Sequence, residues 1–245
     1  MNAIGAQMTL DLASLRGVLG RQVVIAVAVG VFVGIVGGSM AASIAACAFL
    51  VPFSLVFTML SYDETQGWQA FRLAMPLSRR GVVTGRYASL AWVCLLGIAC
   101  GLAAFALIFA IASAASSLQT GVIPTPDELI AGLASMGGGS MADFAWAMVA
   151  LCAISLSLAV VMLALTLPFV LRMGFTKAVR VIPVAMMVLI LCAMLSFGSV
   201  DSALIESIFC TILSPGGTLM MLVVAIALYA LSCVVAIRLY EAREF

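Results

Sequence analysis

Residues 22–62 read QVVIAVAVGVFVGIVGGSMAASIAACAFLVPFSLVFTMLSY, and none of these 41 residues is charged. A helix needs about 20 apolar residues to cross about 30 Å of hydrocarbon, so this run is long enough for two crossings. Gly37, Gly38 and Ser39 interrupt the run near its middle and indicate a tight turn. The sequence therefore predicts a helical hairpin embedded in a membrane.

Four further intervals lack charge, and the composition agrees with them. The chain is 65% hydrophobic and only 9% charged, whereas soluble domains carry roughly 25% charged residues. We predict an all-α integral membrane protein in which residues 1–245 form a single transmembrane domain. The charge-free intervals predict six transmembrane helices, approximately Val23–Val36, Ala42–Leu60, Ala88–Ala112, Trp146–Val170, Val181–Phe197 and Thr218–Ile237.

The basic residues set the predicted orientation. With six spans, all 11 Lys and Arg residues fall on one side, and short loops rich in Lys and Arg stay in the cytoplasm. The two long loops on the other side contain only acidic charges. We therefore expect cytoplasmic amino and carboxyl termini in a multi-pass protein of the cell (plasma or inner) membrane, with membrane lipid around the spans.

Several classes of function are disfavoured by missing residues. The chain has no His, and no ionisable residue lies deep in a predicted span, which argues against a proton-driven carrier. The one lysine, Lys177, lies between Thr176 and Ala178, so it does not form a phosphate-binding Gly-Lys-Ser/Thr loop. Seven cysteines form no CxxC pair that indicates zinc. We expect no enzymatic activity, no cofactor or metal in this chain, and no nucleic-acid partner.

The longest inner connection has the pattern of an amphipathic helix. Trp68, Phe71 and Met75 recur at i, i+3 and i+7, Asp63 is placed to cap the helix start, and Pro76 ends it. Ser78 is then placed to cap the helix that follows. Two interpretations stay open. The segment lies in the lipid headgroups, or it inserts its aromatic residues into a groove of a partner protein.

Two inner loops resemble those of a known family, the type-2 ABC exporter permeases, which are ABC-2 family transporter membrane subunits. The first resemblance is Glu64, Trp68 and then Met75-Pro76-Leu77-Ser78-Arg79-Arg80 followed by Arg86-Tyr87, where many members read Leu-Pro-Val/Ile-Ser-Arg and Lys-Tyr. The second is Pro168 followed by Arg172-Met173-Gly174-Phe175-Thr176-Lys177-Ala178. Here Thr176 departs from the family's Glu, and Met173 from its aromatic residue.

The resemblance implies a function and partners. It implies the permease subunit of an ATP-driven exporter that pairs with a second permease subunit, as a homodimer or heterodimer. Separate ABC ATPase subunits would hold ATP and Mg and would contact a cytoplasmic coupling helix over Asp63–Met75. The sparse polar side chains in the spans suit an amphipathic peptide, lipid or drug as substrate. The residues implied in ATPase coupling are Asp63, Glu64, Trp68, Phe71, Arg72, Met75, Pro76, Arg79, Arg80, Gly174 and Phe175.

Two other functions remain as alternatives. One is the substrate-binding membrane subunit of a vitamin importer, which also relies on an external ATPase but docks through small-residue helix faces. The other is a membrane protein without transport activity, such as an immunity factor or a scaffold for a sensor kinase.

Glycines at intervals of four predict close helix packing, either within one subunit or between subunits. They are Gly30, Gly34 and Gly38 in the first span and Gly97 and Gly101 in the third. Outside the spans, Thr9–Gly20 predicts a helix in the inner interface, and Pro126–Ser135 predicts a short outer helix. Ser207–Leu213 predicts a shallow element before the last span, which is expected to begin near Thr218.

Overall fold

The computed structural model describes residues 3–37, 40–65, 79–117, 127, 130–131, 141–173, 177–178, 180–185, 187–188, 191 and 202–241. Apart from Gly37 and Ser214, every described residue is helical. The helices are α1 (Ala3–Val36), α2 (Met40–Thr65), α3 (Arg79–Ser117), α4 (Met141–Met173), α5 (Ser202–Leu213) and α6 (Pro215–Glu241).

Five of these helices are long and apolar enough to cross a membrane: α1, α2, α3, α4 and α6. They coincide with five of the six predicted spans and make the chain a multi-pass membrane protein. For the remaining predicted span, Val181–Phe197, residues 181–185, 187–188 and 191 are helical, and its other residues lie outside the described part. The outer helix predicted at Pro126–Ser135 is described only at residues 127, 130 and 131, which are helical.

Helix α1 is longer than a crossing requires. Its 34 residues extend for about 51 Å at 1.5 Å per residue. The interfacial segment predicted at Thr9–Gly20 is therefore the first part of the same helix as the first span, with no break between them.

The chain divides into two compact units. The first unit contains Met1–Ser14, Val56–Ser89 and Val161–Phe245, and the second contains Leu15–Leu55 and Leu90–Val160. Helices α1 to α4 each contribute residues to both.

The core of the second unit is built on four of the predicted packing glycines. A methyl group placed on Gly97 would lie 3.3 Å from the backbone of Ala48, and one on Gly101 would lie 3.0 Å from Cα of Ile44. On α1, a methyl group on Gly30 would meet Sγ of Cys47, and one on Gly34 would meet Cδ1 of Ile108. Both glycine faces thus pack within this chain, and Gly38 lies outside the described residues.

Pro52 explains why α2 and α3 come so close at Gly97. A proline inside a helix lacks the N–H that would bond to the carbonyl four residues earlier, which here is the carbonyl of Ala48. A methyl group on Gly97 would lie 3.3 Å from that same oxygen. In a membrane, a neighbouring helix can compensate a carbonyl freed in this way. The glycine allows α3 to approach the weakened point of α2.

A tight turn at Ser214 joins α5 to α6. The Ser214 hydroxyl accepts a hydrogen bond from the Gly217 N–H at 3.1 Å, which caps the first turn of α6 while Pro215 occupies the position that needs no N–H. The Thr218 hydroxyl donates to the carbonyl of Ile212 at 2.8 Å. The last span therefore begins at Pro215, three residues before the predicted start.

Gly217 is required by this turn, and its neighbour Gly216 is not. A methyl group on Gly217 would collide with the carbonyl oxygen of Thr211 and lie 3.1 Å from Cα of Ile212, whereas one on Gly216 would meet nothing within 4 Å. We expect Gly217→Ala to destabilise the protein by about 1–3 kcal/mol, because the backbone of α5 has to move. The melting temperature of the purified protein measures this. Gly216→Ala is the control, and equal melting temperatures for the two variants would contradict the turn as described.

Candidate functional site

The site is built around the first two turns of α3. The helix begins at Arg79, directly after the predicted cap Ser78. This start is three residues after Pro76, which is predicted to end the preceding helix. Arg80 is exposed, and the carbonyl of Arg80 accepts a hydrogen bond from the Thr84 hydroxyl at 2.8 Å. Residues 66–78 directly precede α3 in the sequence, so a partner that contacts them contacts a segment covalently attached to the start of this helix.

The predicted coupling residues are only partly described. Asp63 and Glu64 lie in the last turn of α2, which continues to Thr65, so Asp63 lies inside this helix and the prediction that it caps the start of a new helix is wrong. Trp68, Phe71, Arg72, Met75 and Pro76 lie outside the described residues, as do Gly174 and Phe175. In the second loop, Lys177 and Arg180 are described and exposed.

Two oppositely charged residues of the first unit are buried together. The Arg86 guanidinium lies 3.8 Å from the Asp11 carboxylate, with side chains that are 7% and 0% exposed. The sequence predicts an interfacial helix over Thr9–Gly20, but it does not predict that Asp11 is buried against Arg86. The positive charge of Arg86 can be buried because α1 places the Asp11 carboxylate next to it. The two residues connect α1 with α3.

Polar neighbours complete this pair, and together the four residues are called here the Asp11 cluster: Gln7, Asp11, Arg86 and Ser89. Gln7 donates its amide N–H to Asp11 at 2.9 Å, one turn away on α1. The Ser89 hydroxyl lies 3.3 Å from the other carboxylate oxygen and 3.0 Å from the carbonyl of Gly85, and its single hydrogen can serve one acceptor at a time. Hydrogen bonds of this kind offset part of the cost of burying a charged pair.

Tyr87, the residue directly after Arg86, connects α3 to α6 and, through Ser232, to α4. The Ser232 hydroxyl donates to the carbonyl of Ala164 at 2.6 Å, so Tyr87 donates its own hydroxyl hydrogen to Ser232 at 2.8 Å. Tyr229 in turn donates to the backbone carbonyl of Tyr87 at 2.7 Å. The two tyrosine rings have centroids 4.9 Å apart. We call Tyr87, Ser232 and the Ala164 carbonyl the Ser232 junction.

Pro168 makes the Ala164 carbonyl available. It lies inside α4, so the N–H that would bond to the carbonyl of Ala164 is missing. Ser232 of α6 supplies the replacement donor. An apolar membrane helix with a freed carbonyl and a neighbouring serine is the arrangement that lets proline persist in a span.

Sequence reasoning missed both the Asp11 cluster and the Ser232 junction, although it left signals for parts of them. Asp11 is the one acidic residue among the first 62, and Pro168 marks a carbonyl that needs a new donor. Nothing in the local sequence around Ser232 distinguishes it from other serines in the spans.

The described residues contain no group of three or more His, Cys, Asp or Glu side chains that could hold a metal ion. Members of the Asp11 cluster and of the Ser232 junction make contacts between helices. What this arrangement can do is hold the start of α3 firmly against α1, α4 and α6.

Comparison with family models finds a match to part of the chain. Residues 11–124 match the family model described as ABC-2 family transporter protein, a segment that includes Asp11, the connection 66–78 and all of α3. No curated protein and no solved structure matches the chain.

Proposed function

We propose that this chain, whose residues 11–124 match the ABC-2 family of transporter proteins, is the transmembrane permease subunit of an ATP-driven exporter. In this proposal two permease subunits form the path, and separate ATPase subunits in the cytoplasm supply the energy. The match carries the proposal, because it covers the first three spans together with the connection that resembles a coupling helix.

The connection between α2 and α3 is the proposed ATPase contact. Its predicted aromatic face, Trp68 and Phe71, has the composition of a docking surface, where a few aromatic residues supply most of the binding energy. Since α2 ends at Thr65 and α3 begins at Arg79, only 13 residues separate the two helices. A movement of so short a connection is passed to both helices.

The glycine faces favour this proposal over the importer alternative. A subunit that docks through small-residue helix faces needs those faces open to the partner. Gly30 and Gly34 contact α2 and α3 of their own chain, and Gly97 and Gly101 contact α2. The described glycine faces are therefore already occupied.

The chemistry of the described spans is consistent with an amphipathic or apolar cargo. Large hydrophobic side chains on α6 are exposed, among them Leu219, Met220 and Leu231, and the buried charges of the Asp11 cluster compensate each other. An amphipathic peptide, lipid or drug remains the proposed substrate class.

Changing Trp68 to alanine should weaken the complex with the ATPase. Loss of an aromatic anchor costs about 2 kcal/mol or more, which corresponds to a roughly 30-fold lower affinity. The experiment titrates a purified candidate ABC ATPase subunit against the permease in nanodiscs and measures the dissociation constant and ATP turnover. Glu64→Ala should weaken the complex in the same direction.

Trp92→Ala is the matched control. Trp92 lies on α3 within a candidate span and is 53% exposed, so we expect no change in ATPase affinity. If Trp68→Ala and Glu64→Ala bind the ATPase as tightly as the unaltered chain does, the coupling role is wrong. If no ATPase binds the unaltered chain, the exporter proposal itself fails, and a protein without transport activity becomes the better account.

A further inference from the structure

Two segments of this chain are implied in contacting the ATPase, and the Ser232 junction links the helices that carry them. Tyr87 lies two turns into α3, which follows the first segment, and Pro168 lies in the last two turns of α4, which precedes the second. Both are connected to Ser232 of α6. Tyr87 donates its hydroxyl hydrogen to Ser232, and Ser232 donates to the carbonyl of Ala164 that Pro168 leaves without an N–H donor.

We infer that Ser232 is a positioning residue that joins α3 and α4 to α6, so that movement at the ATPase-facing segments is passed along α6 to α5. The inference rests on the proposed function and adds the route by which the ATPase acts on the transmembrane helices. Nothing in the family match or in the helix boundaries singles out Ser232.

The contacts make this route stiff at its near end. Ser232 is 8% exposed and Tyr87 is 4% exposed, so water does not compete for their hydrogen bonds. A hydrogen bond is strengthened in surroundings of low dielectric constant, and neighbouring bonds in a chain polarise one another. Tyr229, one turn before Ser232 on α6, adds a hydrogen bond to the Tyr87 backbone and a ring contact. Two turns of α3 and α6 therefore move together.

The start of α6 is joined to α5 by defined hydrogen bonds. Helix α6 runs unbroken from Pro215 to Glu241, and the 14 residues from Ser232 back to Thr218 extend for about 21 Å. There the Thr218 hydroxyl holds the carbonyl of Ile212, and the capped turn at Ser214 fixes α5 to α6. A displacement of α6 at Ser232 therefore displaces α5.

Cys210 provides a reporter on α5. It is exposed, and a variant with the other six cysteines of the chain changed to alanine carries one labelling site. The experiment attaches a bimane fluorophore to Cys210, assembles the permease with its ATPase in nanodiscs, and records bimane emission while ATP is titrated in the presence of vanadate. The assembled fraction is isolated by size exclusion first, so that variants are compared at equal ATPase occupancy.

Ser232→Ala removes both hydrogen bonds of the junction, and Tyr87→Phe removes one. With either variant, the emission change should disappear or require about 2- to 30-fold more ATP, the range by which residues between two coupled sites change the coupling. Ser157→Ala is the matched control, because the Ser157 hydroxyl is also buried but bonds within its own helix, to the carbonyl of Ala153. It should respond to ATP as the unaltered chain does.

A double variant separates transmission from mere stability. Pro168→Ala restores an N–H that bonds to the carbonyl of Ala164 inside α4, so Ser232→Ala with Pro168→Ala should regain thermal stability relative to Ser232→Ala alone. The link between α4 and α6 stays broken in it, so the response of Cys210 to ATP should stay weak. Recovery of the full response together with stability would overturn the inference.

The remaining outcomes are also decisive. If the unaltered chain responds to ATP and both Ser232→Ala and Tyr87→Phe respond equally well, the transmission role is wrong while the proposed function stands. If the unaltered complex binds the ATPase but ATP never changes the emission from Cys210, the route to α5 is wrong. If no ATPase binds, the proposed function fails and this inference fails with it.

Discussion

Replacing Gly101 with leucine should leave little folded protein. A methyl group at this position already lies 3.0 Å from Cα and 3.1 Å from the carbonyl oxygen of Ile44. Both are backbone atoms of α2, so no side-chain rotation relieves the contact, and the two helices have to separate. Even Gly101→Ala should cost about 1–3 kcal/mol, the usual penalty for overpacking a core. Leucine adds three more carbons to the same place.

The neighbouring glycines give an ordered series for the test. Gly97→Ala also meets backbone, that of Ala48, and should be nearly as harmful. Gly34→Ala meets side-chain atoms and no backbone, namely Cδ1 of Ile108 and Cβ of Ser43 at 3.1 Å, and should cost less. Gly17→Ala meets nothing within 4 Å and should be neutral or slightly stabilising, since alanine favours a helix over glycine. The yield of monodisperse protein and its melting temperature measure the series. A melting temperature unchanged by Gly101→Leu would show that α2 and α3 do not pack there.

Breaking the pair of Asp11 and Arg86 should have a comparable effect. Arg86→Met removes the cation that lies next to the buried Asp11 carboxylate, and Asp11→Leu removes the anion that lies next to the buried Arg86 guanidinium. Removal of one member of a buried ion pair costs about 3–5 kcal/mol, whereas replacing both by apolar residues is often neutral. We therefore expect each single variant to lower the melting temperature strongly and the double variant Asp11→Leu/Arg86→Met to recover most of the loss.

The double variant is the informative one, because simple overpacking or cavity formation would add rather than cancel. Arg16→Met is the control, on the same helix as Asp11. Arg16 is exposed, and changes at exposed positions usually stay within about 0.5 kcal/mol. A double variant as unstable as the sum of the two single variants would contradict the pairing of Asp11 with Arg86.

The spans were predictable because hydrocarbon thickness fixes helix length. Charge-free runs identify α1 to α4 and α6, and the motif Pro76-Leu77-Ser78 places the start of α3 at Arg79. Helix ends outside the hydrocarbon were not predictable in this way. Helix α2 continues to Thr65 and α1 extends back to Ala3, since backbone hydrogen bonding does not stop at the lipid boundary.

The buried polar contacts were not predictable from the sequence for a different reason. Asp11 and Arg86 are far apart along the chain, and Ser232 is further still from Tyr87. Each side chain is ordinary in its local sequence, and its role depends on which helices lie side by side. Pro168 indicates that a carbonyl in α4 needs a donor, but only the packing of α6 identifies Ser232 as that donor.

Accessibility at position 68 decides whether this segment can contact an ATPase in the cytoplasm. In a background with all seven native cysteines replaced, Trp68→Cys and Asp127→Cys are treated with a membrane-impermeant maleimide, first on intact cells and then on inverted vesicles. We expect position 68 to be labelled only in inverted vesicles, bound ATPase to protect it, and position 127 to be labelled only on intact cells. Labelling of position 68 on intact cells would rule out the proposed ATPase contact, since an ATPase in the cytoplasm cannot contact a segment on the outer face.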